Sequence, residues 1–226
     1  MTEILLNVIS VIGVVAFSVA GAIVAIDHGV DLFGVLLMAG LTSFAGGLTR
    51  DVIMDITPHL FVDRFYFLQA GISCATALAV FAIARGLGQR FRQREATIER
   101  INNVFDALGL AVFATTGADV AMRTLGDAEN VFSVLTLSVL TAIGGGMLRD
   151  VCLGEIPFVL KKRIYAVAAL AGAATFYVLR VLAVYTPLAM LCGIIVTFAL
   201  RLLATIFRWN LPKAFPDKPE TENKKS

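Results

Sequence analysis

The sequence predicts an all-α integral membrane protein with seven transmembrane helices: an inverted 3+3 repeat plus a seventh helix, the second and fifth helices broken at glycines. Three observations predict it. The chain is 58% hydrophobic and only 16% charged, with a mean hydropathy of +0.83, whereas a soluble domain keeps about a quarter of its residues charged. Its apolar residues arrive in blocks of about 20, the length that spans a bilayer as a helix. A seven-residue motif also recurs 99 residues apart, Gly46-Gly47-Leu48-Thr49-Arg50-Asp51-Val52 and Gly145-Gly146-Met147-Leu148-Arg149-Asp150-Val151.

The first span, residues 4–26, is uncharged and is closed by Asp27-His28-Gly29. It lacks a basic leader and exceeds the length of a signal core, so it reads as a retained helix. Residues 32–49 form the second span and run into Arg50-Asp51. The third, residues 65–84, ends at Arg85-Gly86; the fourth, residues 104–122, carries Asp106 and Asp119 near its ends. Residues 131–148 form the fifth and run into Arg149-Asp150. The sixth covers residues 164–184 and the seventh residues 187–207, with Thr186-Pro187 between them as a tight turn, since proline is tolerated at a helix start. A single membrane domain therefore covers residues 1–208, with repeat one at 4–85, repeat two at 102–184 and the seventh helix at 187–207. The polar tail, residues 209–226, reads as disordered and cytoplasmic.

Orientation follows from lysine and arginine bias in short loops. Arg85, Arg90, Arg92, Arg94 and Arg100 follow the third helix, Lys161, Lys162 and Arg163 precede the sixth, and Arg208, Lys213, Lys218, Lys224 and Lys225 follow the seventh. Seven spans put all three basic segments on the cytoplasmic side and the N-terminus outside. An extra or missing helix would split them. The expected location is the bacterial cytoplasmic membrane, with the lipid bilayer as a partner. A net charge of +2 is too small to point to nucleic acid.

The repeat extends beyond the motif. The 99-residue offset also pairs Pro58 with Pro157, Arg64 with Arg163 and Tyr66 with Tyr165. Upstream, Phe17-Ser18-Val19-Ala20-Gly21-Ala22 matches Phe113-Ala114-Thr115-Thr116-Gly117-Ala118 at an offset of 96. Each repeat holds three helices, and three is odd, so the second copy enters from the opposite side of the membrane.

The chemistry concentrates at the glycines. Gly46-Gly47 follows Ala45, and Gly144-Gly145-Gly146 stands at the matching place. Glycine costs about 1 kcal/mol relative to alanine within a helix, so such runs mark either a break or close small-residue packing. A break would free backbone groups that lipid cannot satisfy, and those groups would face protein or water. Arg50 and Arg149 each need a partner or water at membrane depth. Neighbours at i,i+1 do not face each other on a helix, so Arg50 is expected to pair with Asp150 and Arg149 with Asp51; the alternative is anchoring at the interface. Thr42, Ser43, Thr49, Ser138 and Thr141 are candidate hydroxyls for a polar path, unless each bonds its own helix. Asp106 and Asp119 lie about 20 Å apart along the fourth helix and read as interface anchors. His28 and His59, in loops, are assigned no site. Cys74, Cys152 and Cys192 sit in apolar stretches without metal-ligand spacing, and read as packed hydrophobes rather than disulfides.

The duplicated glycine motifs with Arg-Asp, in a seven-helix chain of this length, resemble the bacterial branch of the trimeric intracellular cation channels, also catalogued as a glycine-transporter-like membrane domain. The resemblance covers nearly everything but the tail. It implies a homotrimer with one pore per protomer, permeable to potassium and other monovalent cations; no cofactor is expected, and potassium or sodium would be present only as permeant ions. By position it implies pore or kink roles for Gly46, Gly47, Gly144, Gly145 and Gly146, and pore charges at Arg50, Asp51, Arg149 and Asp150. Neither motif holds a lysine, where animal members place a basic pore residue, so their lipid regulation is not carried over. The residues alone fit an inverted-repeat transport protein without deciding channel or carrier, and a secondary transporter of a small solute such as glycine is the alternative. Neither H-E-x-x-H nor G-x-S-x-G occurs, and no enzyme is expected.

Overall fold

Seven long helices carry the architecture of the computed structural model, which describes residues 2–125, 130–161, 164–207 and 209. They are α1 (Thr2–Asp27), α2 (Leu32–Ile53), α3 (Arg64–Leu87), α4 (Glu95–Leu125), α5 (Val131–Cys152), α6 (Tyr165–Val181) and α7 (Thr186–Ile206). Six of them are long and apolar enough to cross a membrane; α6 is the shorter one, at 17 residues. At 1.5 Å per residue α6 spans about 26 Å, close to the roughly 30 Å hydrocarbon thickness. Single helical turns at His59–Val62 and Phe158–Lys161 follow α2 and α5, and a short helix, Gln89–Gln93, lies between α3 and α4. The fourth helix begins well before its apolar stretch and takes up part of the charged linker. The tail lies outside the described residues except Trp209, which stacks on Phe207.

The helix ends repeat as the sequence does. Asp31 caps α2 by accepting from the Gly34 amide at 2.8 Å, and Asn130, 99 residues on, caps α5 by accepting from Ser133 at 3.2 Å. Both helices end in the same six-residue loop closure, Ile56 N–H to Asp51 C=O and Glu155 N–H to Asp150 C=O, around a left-handed residue. That residue is Asp55 in one copy (φ 55°) and Gly154 in the other (φ 75°). Only glycine adopts this conformation without strain. Gly154→Ala should therefore lose about 1 kcal/mol and Asp55→Gly gain a comparable amount, read as opposite shifts of the unfolding midpoint in detergent.

The glycine runs, expected to break α2 and α5, do not. Both helices continue through Gly46-Gly47 and Gly144-Gly145-Gly146 without interruption. Keeping the backbone paired spares groups that lipid cannot satisfy, and the missing side chains serve close packing instead. A Cβ on Gly46 would overlap the Thr141 carbonyl, and one on Gly145 would overlap the Thr42 carbonyl; one on Gly144 would sit 3.0 Å from the Gly46 Cα. The two contacts are reciprocal, since Thr42 and Thr141 are themselves 99 apart, and α2 runs antiparallel to α5. A second antiparallel pair is α1 with α4. There Phe17 lies on Gly109 and Phe113 on Gly13, and the two rings stack at 5.2 Å. Helix α7 packs on α6 and α4. Large apolar side chains such as Phe67 and Phe132 point outward, as lipid allows.

Candidate functional site

Arg50 and Asp51 sit in the last turn of α2, buried to 3% and 2% exposure. The Arg50 guanidinium donates from Nε (2.9 Å) and Nη2 (2.6 Å) to the Asp51 Oδ1. Asp51 Oδ2 accepts from the His59 amide at 3.0 Å, and the His59 Nδ1 lies 2.9 Å away. The copy in α5 repeats this: Arg149 donates from Nε (2.9 Å) and Nη2 (2.7 Å) to Asp150 Oδ1, while Asp150 Oδ2 accepts from the Phe158 amide at 2.7 Å. Each aspartate thus ties its helix to the turn that follows, and each arginine neutralises the aspartate beside it.

This corrects the expected pairing of Arg50 with Asp150 and Arg149 with Asp51. The rule that i,i+1 neighbours diverge holds for side chains leaving the helix radially. Arginine's long arm bends back, and an aspartate already held by an amide presents a fixed oxygen to its side-on fork. The hydroxyls are satisfied locally. Thr42 donates to Met38 C=O and Thr141 to Leu137 C=O, both at 2.6 Å, and Thr49 donates to Ala45 C=O at 2.8 Å. Ser138 donates to Ala114 C=O on α4 at 2.5 Å. Ser43 lies within bonding range of Ala39 C=O, Val14 C=O and Ser18, and Ser18 reaches Ser73, so α1, α2 and α3 are joined.

Two cavities adjoin the two charge pairs. The first, about 40 Å³, is lined by Ser10, Gly47, Arg50, Tyr66, Phe113 and Thr116, among others, with Ser43 and Thr141 also on its wall. The second, about 150 Å³, is lined by Val24, Asn102, Asp106, Arg149, Asp150 and Phe158, among others, with His28 and Glu155 also on its wall. Ser10 and Val24 lie about 20 Å apart along α1, and α4 offers Thr116 to one cavity and Asp106 to the other. The cavities therefore approach from opposite ends of these helices, and the Phe17–Phe113 stack lies between them. Beside the second, a larger groove carries Asp27, Glu95 and Glu99.

Sequence reasoning missed three residues. His59, set aside as a loop histidine, is an Asp51 partner. Asp106 is no interface anchor: it is 4% exposed and accepts from the Tyr165 hydroxyl at 3.1 Å. Arg201, on α7, is 3% exposed, with its Nη2 3.6 Å from Asp106 Oδ2. The signal was a single charge inside a spanning helix, which calls for a partner. Asp119, also buried at 8% exposure, pairs with the exposed Arg123 at 2.9 Å.

The fold and site define a helical membrane protein built from one unit used twice, with a neutralised charge pair at the end of each copy's central helix. The profile of the family described as glycine transporter matches residues 7–85 and again 103–181. A UPF0126 membrane protein of Deinococcus radiodurans is 38% identical over 178 residues, 77% of this chain and 76% of that protein. The UPF0126 inner membrane protein YadS of Escherichia coli K12 is 31% identical over 208 residues, 90% of this chain and 92% of that protein. A structure solved to explain conductance through TRIC cation channels matches with a TM-score of 0.79 at 29% identity, covering 94% of this chain and 98% of that one. The TRIC trimeric intracellular cation channel orthologue from Rhodobacter sphaeroides matches with a TM-score of 0.77 at 30% identity, covering 90% and 98%. The chain belongs to the bacterial branch of the trimeric intracellular cation channel family, and each of its two halves matches the domain described as glycine transporter. It is a channel-family protein and not an enzyme.

Proposed function

We propose that the protein conducts monovalent cations, potassium among them, through a pore inside each protomer. The observation that carries this reading is the pair of cavities reaching in from opposite ends of α1 and α4 toward the Phe17–Phe113 stack. The two rings stand 96 residues apart in sequence, so the stack falls on the axis that would relate the repeats. Antiparallel packing of α1 on α4 and of α2 on α5 supports an inverted repeat with that axis in the membrane plane. Arg50 and Arg149 would repel cations if bare, but each is neutralised by its neighbour at 2.6 and 2.7 Å. Asp27, Glu95 and Glu99, near the second cavity, would concentrate cations there. Ser43 and Thr141 spend their protons on backbone carbonyls and leave oxygen lone pairs on the wall of the first. The stacked phenylalanines act as an apolar constriction that stays shut by excluding water.

By the basic-residue bias the first cavity opens outward and the second to the cytoplasm, in a bacterial inner membrane. A homotrimer follows the family, as the name of the Rhodobacter sphaeroides channel states. The test is current from purified protein in planar bilayers under potassium and sodium gradients. Unitary steps with a cation reversal potential are expected, and Phe113→Ala should raise open probability severalfold by loosening the stack. Silence, with saturable glycine uptake into liposomes, would overturn the channel reading in favour of a carrier.

A further inference from the structure

Arg201 does not belong to either repeat. It comes from α7, the helix that has no counterpart, and it reaches the second cavity's wall from the side. Its guanidinium carbon lies 4.6 Å from the centre of the Tyr165 ring and 5.6 Å from that of Phe158. Those two rings meet edge to face at 5.5 Å. The third wall is the Asp106 carboxylate, oriented by the Tyr165 hydroxyl at 3.1 Å. Two aromatic faces and one carboxylate form a cage that recognises a weakly hydrated cation.

The guanidinium fills this cage loosely. Arg201 Nη2 is 3.6 Å from Asp106 Oδ2, beyond hydrogen-bond range, and among the described residues Arg201 Nε, Arg201 Nη2 and Asp106 Oδ2 have no hydrogen-bond partner. A buried ion pair kept for stability would close these bonds, because desolvation is repaid only by good geometry. Asp106 and Phe158 also face the second cavity, so the cage opens onto it. The first repeat shows that the fold does not require the arrangement. There Tyr66 takes the place of Tyr165, but His59 stands for Phe158 and Ser10 for Asp106.

We propose that the Arg201 guanidinium is a tethered cation occupying a monovalent-cation site on the cytoplasmic half of the permeation path. The cage would take potassium or a small organic cation such as methylguanidinium once the side chain is withdrawn. While in place, Arg201 holds the site against permeating ions and lowers the open probability. This rests on the cation-channel reading, so the test has one arm that needs no current.

In the binding arm, purified Arg201→Ala protein is titrated with methylguanidinium at millimolar concentration, against equal sodium chloride, following the unfolding midpoint. A stabilising shift in Arg201→Ala, none in the parent and none in Arg201→Ala/Asp106→Asn is expected. If Arg201→Ala folds only when methylguanidinium is present during purification, that also supports the cage. In the current arm, Arg201→Ala should open about tenfold more often than the parent, and cytoplasmic methylguanidinium should block the variant and spare the parent. A parent that conducts, with an Arg201→Ala variant that neither opens more nor responds to methylguanidinium in either arm, overturns the proposal. Equal shifts in Arg201→Ala and the double variant also overturn it. Silence of both the parent and Arg201→Ala, with methylguanidinium still stabilising the variant, would sink the channel reading and leave the cage standing.

Discussion

Alanine at Gly46 or Gly145 should destabilise the folded protein by about 1–3 kcal/mol per site, while alanine at Gly47 or Gly146 should be tolerated. The motif treats these neighbours alike, but the structure does not. At Gly46 and Gly145 an added methyl would overlap a backbone carbonyl of the facing helix, Thr141 or Thr42. A carbonyl inside a continuous helix cannot rotate aside, so α2 and α5 would have to separate along the seam that joins the two halves. At Gly47 and Gly146 the nearest atoms are Arg50 Nη2 at 3.8 Å and Arg149 Nη2 at 3.9 Å, ordinary contacts with flexible side chains. Gly40, also on α2, has open space where a methyl would go, with nothing among the described residues within 4 Å. It serves as the control and should gain slightly from helix propensity. The measurement is the unfolding midpoint of each variant in detergent. Equal losses at Gly46 and Gly47 would mean that the glycines act through backbone freedom, and the packing account would fail.

That contrast marks where the sequence is legible. Membrane-length apolar blocks and the 99-residue echo are properties of the chain alone, so the helices and the doubled unit could be read directly. Glycine is ambiguous because its two uses, freedom and closeness, leave the same letter. Which one operates depends on what lies opposite, and a carbonyl 95 residues away leaves no local trace. The Arg-Asp pairs stand out in the sequence as charges that need partners, but which partners they take is not written there. Asp51 is fixed by the His59 amide and Asp150 by the Phe158 amide, and those bonds exist only after the following turn folds back. Arg201 is a single charge within an apolar helix. Its partner Asp106 looked like an interface anchor because its position along α4 says nothing of which neighbour covers it.

Truncating Arg50 or Arg149 to alanine should cost about 3–5 kcal/mol, because either change leaves a carboxylate buried without its cation. Lysine should rescue only partly, since a single ammonium cannot supply the Nε and Nη2 donors that converge on Asp51 Oδ1. The decisive measurement is a pair of double-mutant cycles on unfolding free energy. Arg50→Ala with Asp51→Asn should show a coupling of about 0.5–3 kcal/mol, and Arg50→Ala with Asp150→Asn should be additive. Asp51→Asn has a further expected signature, because its Oδ2 also holds the turn at His59–Val62. Weakening that bond should speed hydrogen exchange of the His59 amide, whereas Arg50→Ala should leave it nearly unchanged. Coupling of Arg50 to Asp150 instead would mean that the charges bind the two halves to each other. The glycine seam would then not be the main tie between them, and the losses expected at Gly46 and Gly145 should shrink in step.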